Sequence, residues 1–547
     1  LIMLTVSSTE NLNNLEKIKD EHLKHTVPGF KTKIDNSLPI IINLGYGVHG
    51  NEPSSAEAAI LAAYTLVASE NNKIKRLIEN SVVFIDPTIN PDGRDRHSQW
   101  VNQYKSINLV ADSNDAEHNE AWPRGRTNHY WFDLNRDWLL GINPESRGKL
   151  SWYHSWYPNV VTDFHEMGTN SNYFFEPMKR NASVKPMIPD ENYSVLSPIF
   201  AEYYVKALDS IGSFYYTKES FDETYPGYGS SYPDVQGAVA ILFEQASSRG
   251  HLQETNYGTM SFGFTIRNQY LSSIATVEAA VDNKDLLRDY QMRFFNSSIT
   301  EFNNEKVKAY EFGDMYDQNR NKAFIDKLLL HKIKVYNSKG KFVVPVNQPQ
   351  SRMVKNFFET HSKYIDSVFY DASAWSVSNV YNMKSKELKS FFGESEIKST
   401  EDFVKNLKPK KSNYAYIIDW DDYNSPAALN HLQKNGIITY SAFKPFTIKV
   451  NGTNSSKKFN YGSVLIPVSK QKISSEKLFD IINEIQNKYE VPIYNSESGY
   501  SMKGIDLGSN NFRINKPVKV ALLIGEGVNS YEAGEVWHLL DTRIGMA

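Results

Sequence analysis

Cysteine is missing from the 547 residues, and with it go thiol nucleophiles, disulfides, thiolate zinc sites and iron–sulfur clusters. Any metal must therefore be held by His, Asp, Glu or backbone oxygen, and 13 His leave ligands to spare. No apolar run reaches the 18 or so residues that would span a bilayer. Charge of one sign is lacking too: 60 Lys+Arg against 63 Asp+Glu leave a net charge of −3, so no global field draws nucleic acid or an anionic membrane. A GxxxxGK[ST] phosphate loop and a GxSxG nucleophile elbow do not occur. With 40% hydrophobic and 22% charged residues, 29 Gly and 22 Pro, the chain is neither collagen-like nor largely disordered. Its length corresponds to about three and a half domain equivalents, enough for several cores.

What is present is an alternation of strands and helices. Leu1–Val6 reads as a strand met mid-run, with no signal peptide visible. Residues 39–44 form a β-branched run, residues 54–69 an Ala-rich buried helix with Pro53 at a first helical position, and residues 82–89 a second strand closed by the turn sequence Asn90-Pro91-Asp92-Gly93. Further strands are expected at 160–164 and 238–243, and a helix at about 268–282. The expected fold class is α/β, with a mixed, mostly parallel sheet flanked by helices over residues 1–300, followed by smaller α/β accessory domains. Beyond 300 the texture becomes Lys-rich around short strands such as 341–346. The expected division is an accessory segment over 301–410, a linker at Lys408–Ser412, a small α/β domain over 411–515, and from 516 to 547 a strand (Val518–Ile524), loop and helix that open a further domain.

Two motif readings compete for one stretch. Gly45-Tyr46-Gly47-Val48-His49-Gly50 formally matches the dinucleotide fingerprint GxGxxG. That pattern also wants an acid closing the second strand; Glu70 instead ends the helix, and Asp86 runs into Pro87 and the Asn-Pro-Asp-Gly sequence. The rival reading pairs His49 with Glu52 in the turn at a strand's C-terminal end, where ligands bind in open α/β sheets. Pro53 keeps Glu52 out of the helix. A third residue, His165, ends the apolar strand Val160–Phe164. Two His and one Glu make a zinc set that leaves a position open for water, as catalytic zinc requires.

These pieces resemble the zinc carboxypeptidase (metallocarboxypeptidase) family. In order they are His49-Gly50-Asn51-Glu52, Asn90-Pro91-Asp92-Gly93, Asp133-Leu134-Asn135-Arg136, His165, and an apolar strand ending in Phe243-Glu244. The resemblance covers residues 1 to about 300. The wording from Trp122 to Phe132 is similar to a bacterial branch of large multi-domain members, and the tail from about 517 looks like the start of a glutamine-amidotransferase-like domain, cut short.

The resemblance implies one Zn²⁺ held by His49, Glu52 and His165, with Asp133 orienting a ligand imidazole. It implies Glu244 as general base, Arg136 with Asn135 holding the substrate's terminal carboxylate, and Arg126 stabilising the oxyanion, with Arg124 as neighbour. It implies Tyr225 as the tyrosine closing over substrate, with Tyr228 and Tyr232 as rivals. Peptide or protein C-termini would be the substrate, without nucleic acid or a membrane span, in an extracytoplasmic (periplasmic or secreted) setting. The Ser-Tyr that the family's digestive members carry after the third ligand is here Glu166-Met167, and the residue that sets side-chain preference should fall near Ser230 or Ser231, neither of them acidic. Asp112, Asp115, Glu117 and Glu120 read as a solvated loop before a calcium site. Alternatives are a zinc amidohydrolase acting on N-acyl amino acids or peptidoglycan peptides, and a non-catalytic binding or scaffold protein with a degenerate site.

Overall fold

A computed structural model describes residues 1–31, 37–179, 187–223, 225–358, 376–403, 409–451 and 455–546. Lys408 of the expected linker and Thr224 beside Tyr225 lie outside the described residues.

The first half is built on strands β1 (Leu4–Val6), β2 (Ile40–Tyr46), β3 (Ser81–Asp86), β4 (Val160–Met167), β5 (Tyr173–Phe175), β6 (Tyr215–Tyr216) and β7 (Val239–Ala246). They form one sheet in the order β1-β3-β2-β4-β7-β5-β6. The central four, β3, β2, β4 and β7, run parallel, while β1 and β5 pair antiparallel with β3 and β7. β2 is buried along its whole length, which explains its near-continuous apolar run, because helices cover both faces of a parallel sheet. Alternation sorts its side chains: Ile40, Ile42 and Leu44 join the main core, while Ile41 packs with Val82, Phe84 and Trp156.

Among the helices are α1 (Thr9–Asn13), α2 (Leu15–Leu23), α3 (Pro53–Ala68), α4 (Asn72–Glu79), α5 (Pro91–Tyr104) and α6 (Pro144–Trp156). α3 lays its small face (Ala58, Ala59, Ala62) toward the long helix Phe262–Asp282, and α6 covers Phe84 with Trp152 and Trp156. From β2 the chain steps to β3 on one side and then to β4 on the other. The crevice at the C-terminal ends of β2 and β4 is therefore a topological switch point, where open α/β sheets bind ligands.

Two expectations are corrected. Asn90-Pro91-Asp92-Gly93 is not a turn but the start of α5: Asn90 accepts from Gly93 N (2.9 Å) as N-cap, and Pro91 takes the first helical position. Asn and Pro serve turns and helix starts alike, and here the second use prevails. Val518–Ile524 is not a strand. Its backbone joins no ladder, and Val518, Leu523 and Ile524 are exposed. An apolar run without a pairing strand has nowhere to place its N–H and C=O groups except water.

Residues 309–397 contribute a five-stranded antiparallel sheet, Ser385–Leu388, Ala309–Phe312, Lys341–Pro345, Val335–Ser338 and Ser395–Ile397 in spatial order. One continuous buried cluster runs from Val6 to Ile397 across both sheets. Residues 415–514 hold another five-stranded sheet, also antiparallel, with helices Ser425–Lys434 and Ser475–Tyr489 and a core of its own. The helix expected within residues 516–547 is Ser530–His538. No helix among the described residues is long and apolar enough to cross a membrane.

Candidate metal centre

The loop after β2 carries His49 and Glu52, and its shape depends on glycines. A Cβ on Gly50 would overlap the backbone of Gly93 and Arg94, and one on Gly93 would overlap the carbonyls of Gly125 and Thr127. Three glycines from three separate motifs thus let two loops and the start of α5 touch backbone to backbone. Asn90 completes the clamp by donating from Nδ2 to the carbonyl of Arg126 (3.0 Å). Glu120 fastens the same loop, accepting from Asn51 Nδ2 (2.9 Å) and Gly125 N (3.1 Å) beside His97 Nδ1 (3.0 Å).

Within this frame His49, Glu52 and His165 converge, all three buried, with one ligand atom of each within 4.8 Å of the others. His49 Nδ1 lies 2.9 Å from Glu52 Oε1, His165 Nδ1 lies 3.0 Å from Glu52 Oε2, and the two Nδ1 atoms are 3.1 Å apart. Each imidazole turns its other nitrogen to a carboxylate. His49 Nε2 meets Asp133 Oδ1 at 2.9 Å, and His165 Nε2 meets Asp163 Oδ1 at 2.8 Å. Those partners favour hydrogen on Nε2 and leave the Nδ1 lone pairs facing one another, the arrangement a metal-bound His has. Two Nδ1 atoms and a carboxylate gathered this closely call for a cation among them, a proton or a metal ion, and the two-His, one-Glu donor set fits zinc.

Charge is concentrated here. Burial opposes ionisation of Glu52, but His49 and His165 outweigh it and hold its carboxyl well below the usual range. Burial likewise opposes charge on His165, but Asp163 and Glu52 hold the imidazole well above its ordinary value. Asp133 overcomes its burial through Arg126 and His49 and stays well below the usual range. Glu244 goes the other way: burial, with Glu52 and Asp163 adding repulsion, pushes it up to about 8 against the pull of His165 and Arg126. It sits on β7 directly across the ladder from His165 on β4. A carboxyl at that value is poised to exchange protons near neutrality.

His49, Glu52, Asp133, His165 and Glu244 line one cavity of about 670 Å³, whose wall also includes Arg126, Arg136, Asn135, Tyr228 and Ser230. Arg136 donates to the carbonyl of Asn135 (3.3 Å), its guanidinium lies 4.5 Å over the Tyr228 ring, and no carboxylate among the described residues is within ion-pair distance. Arg126 binds Asp133 Oδ2 through Nε (3.1 Å) and Nη2 (2.9 Å) and turns Nη1 to within 3.2 Å of Glu52 Oε1. Arg124 is exposed, in the left-handed region (φ 67°), and does not line the cavity.

Asn135 spends its amide internally. Nδ2 donates to Asp163 Oδ2 (3.0 Å) and lies 3.0 Å from His165 Nε2, while Oδ1 accepts from Gly229 N (2.7 Å). Tyr225 is buried outside the cavity wall and donates to the carbonyl of Arg136 (2.9 Å). Tyr232 is buried between His154 and His331. Of the three tyrosines only Tyr228 lines the cavity. Ser231 is buried, donating to the carbonyl of Tyr225.

The remaining motif residues have structural partners. Asp86 pairs with the buried Lys149. Asp115 caps a short helix and Glu117 pairs with His251 Nδ1 (2.7 Å). Glu117 is buried and Glu120 half-buried, so these two are not the solvated loop acids expected, and among the described residues the acidic cluster does not converge as a metal site.

Sequence reasoning assigned no supporting role to four contributors, Asp163, Glu166, Tyr531 and Glu535. Asp163 lies two residues before His165 on one strand, so period-two alternation placed it on the same face. Glu166 accepts from Ser54 N (2.9 Å) at the start of α3, and its own N–H donates to Glu52 Oε2 (2.9 Å). Tyr531 and Glu535 line the cavity from the far end of the chain, a placement no local pattern signals.

Residues 29–269 match the family model described as zinc carboxypeptidase. Among solved structures the chain is similar to a metallo-carboxypeptidase from Burkholderia cenocepacia, at 16% identity over 51% of this chain and 60% of that one (TM-score 0.34). It is also similar to a metallo-carboxypeptidase from Pseudomonas aeruginosa (16% identity, 47% and 60% covered, TM-score 0.30) and to carboxypeptidase A from Helicoverpa armigera (15%, 51% and 74%, TM-score 0.29). The chain thus spans about 60% of the length of the two bacterial structures. No curated protein sequence matches it.

Proposed function

We propose that this protein is a zinc-dependent metallocarboxypeptidase that hydrolyses the C-terminal peptide bond of peptides. One observation carries the reading: a buried two-His, one-Glu donor set shares a cavity with an Arg136 guanidinium that has no carboxylate partner among the described residues and a Glu244 carboxyl of raised pKa. The match of residues 29–269 to the family supports it.

His49, Glu52 and His165 would hold the zinc, with Asp133 and Asp163 fixing the two imidazoles. When bound, zinc supplies a Lewis acid for the scissile carbonyl and lowers the pKa of a water to about 7. Glu244 would be the group that takes a proton from the attacking water and gives one to the leaving amine, a role its raised pKa suits. Arg136 receives the free terminal carboxylate. A planar guanidinium matches a carboxylate through two parallel hydrogen bonds, and a requirement for that group makes the reaction an exopeptidase one. Arg126 turns Nη1 toward the ligand set, where negative charge develops on the carbonyl oxygen.

The test compares zinc content and release of C-terminal amino acids from a peptide mixture for wild type, Glu244→Gln and chelator-treated protein. Glu244→Gln is expected to keep its zinc and lose at least about 10²-fold in turnover. Equal turnover by wild type and mutant removes Glu244 as the base. Cleavage of N-acyl amino acids without release from longer peptides would make the chain an amidohydrolase instead.

A further inference from the structure

The helix Ser530–His538 reaches the metal centre from 398 residues away. Aromatic packing seats it, with the Trp537 ring 4.7 Å from Tyr130, 4.8 Å from Trp131 and 5.4 Å from His129. Polar contacts lock both ends. Trp122 N donates to Glu526 Oε1 (3.0 Å), Trp122 Nε1 to the carbonyl of Val528 (2.9 Å), and Tyr130 Oη to Asp541 Oδ2 (2.6 Å). A Cβ on Gly534 would overlap the Tyr130 carbonyl, so glycine is what lets the helix come this close.

Seated there, Tyr531 Oη accepts from Arg126 Nε (2.7 Å) and donates to Asp133 Oδ2 (3.4 Å). Asp133 and Tyr531 together grip the Nε–Nη2 edge of the guanidinium. Because that group is planar, fixing one edge aims the other, and Nη1 is left facing Glu52 and His49.

We propose that Tyr531 is a positioning residue that, together with Asp133, aims Arg126 at the metal centre. The proposal rests on the metallocarboxypeptidase reading for its kinetic consequence but not for the contact itself. An Arg126 free to swing would stabilise charge in the transition state less well, while ground-state binding through Arg136 would be untouched.

The test is a double-mutant cycle on the zinc-loaded full chain, with Tyr531→Phe, Arg126→Gln and the pair, reading kcat and KM on a blocked tripeptide. Tyr531→Phe keeps the ring, and is expected to lower kcat about tenfold, the low end of what outer-layer partners cost, with KM within about twofold. Arg126→Gln is expected to cost about 10²–10³-fold, and adding Tyr531→Phe to it nothing further. Multiplying losses, or an unchanged kcat in Tyr531→Phe, would overturn the proposal. A second cycle on the thermal midpoints of the same four metal-free proteins needs no activity. Non-additive midpoints are expected for groups in contact, and strict additivity would overturn the arrangement. Wild-type protein that releases no C-terminal residue would overturn the peptidase reading alone, leaving the thermal cycle to decide on Tyr531.

Discussion

Asp163 shows how much of this centre depends on residues that touch no substrate. It faces His165 Nε2, receives Asn135 Nδ2, and lies against Gly229, where a Cβ would come within 2.8 Å of its Oδ2. Replacing it with Asn keeps the shape and removes the charge. Asp163→Asn is expected to weaken zinc binding about 10–100-fold, read by competition with a chromogenic chelator, with the far-ultraviolet circular dichroism unchanged. Unaltered affinity would mean that His165 needs no carboxylate behind it. The convergence of His49, Glu52 and His165 was legible because both His close apolar runs and Glu52 stands three residues after His49, held out of the helix by Pro53. Their supporting partners were less so. Asp133 entered only through the resemblance, Asp163 was hidden in a strand of otherwise apolar type, and Tyr531 meets Arg126 only through a docked helix. Tyr225 and Tyr232 illustrate the converse limit: a motif places tyrosines near a site, but packing decides which side chain faces it.

At the scale of elements, Gly50, Gly93 and Gly125 hold the loops at a separation no side chain would permit. Gly148 is the contrasting case, an exposed position within α6 with no atom near its would-be Cβ. Gly93→Ala is expected to destabilise the fold by at least about 2 kcal/mol through overlap with two carbonyls. Gly148→Ala should stabilise it by about 0.5–1 kcal/mol, because alanine is the better helix former. Chemical denaturation of the two variants checks both signs, and a neutral Gly93→Ala would contradict the close approach. The sheet itself was readable from β-branched runs and the Ala-rich helix. The start of α5 was not, because Asn-Pro-Asp-Gly suits a turn as well as a helix N-terminus. The run Val518–Ile524 has strand composition, but strand formation depends on a partner that composition does not encode.

For the whole molecule, three buried imidazoles set an acid limit. Burial lowers His22 and His331 to about 4 and His154 well below its ordinary value. All three are hydrogen-bonded as neutral rings, His22 to the Tyr157 carbonyl and the other two around the Tyr232 hydroxyl. Their folded values lie beneath the unfolded value of 6.5, so below that pH the unfolded chain binds more protons and stability falls as pH falls. For His22 and His331 the loss runs from about pH 6.5 to about pH 4, on the order of 1.4 kcal/mol per pH unit each. The thermal midpoint is therefore expected to drop clearly between pH 7 and pH 5, and a flat profile over that range would show that these rings are not buried neutral.

His331 also ties distant parts of the chain together. Its Nε2 donates to the Leu139 carbonyl and its Nδ1 accepts from the Tyr232 hydroxyl, while Lys327 reaches the Gly141 carbonyl and Gln350 reaches Tyr157. These contacts overlie the apolar cluster that runs from Val6 to Ile397 beneath the first two sheets. The unit of inheritance is accordingly larger than the unit of chemistry. Most groups that surround the candidate metal site come before residue 250, yet a transplant that keeps their apolar support intact would carry the chain at least as far as Ile397.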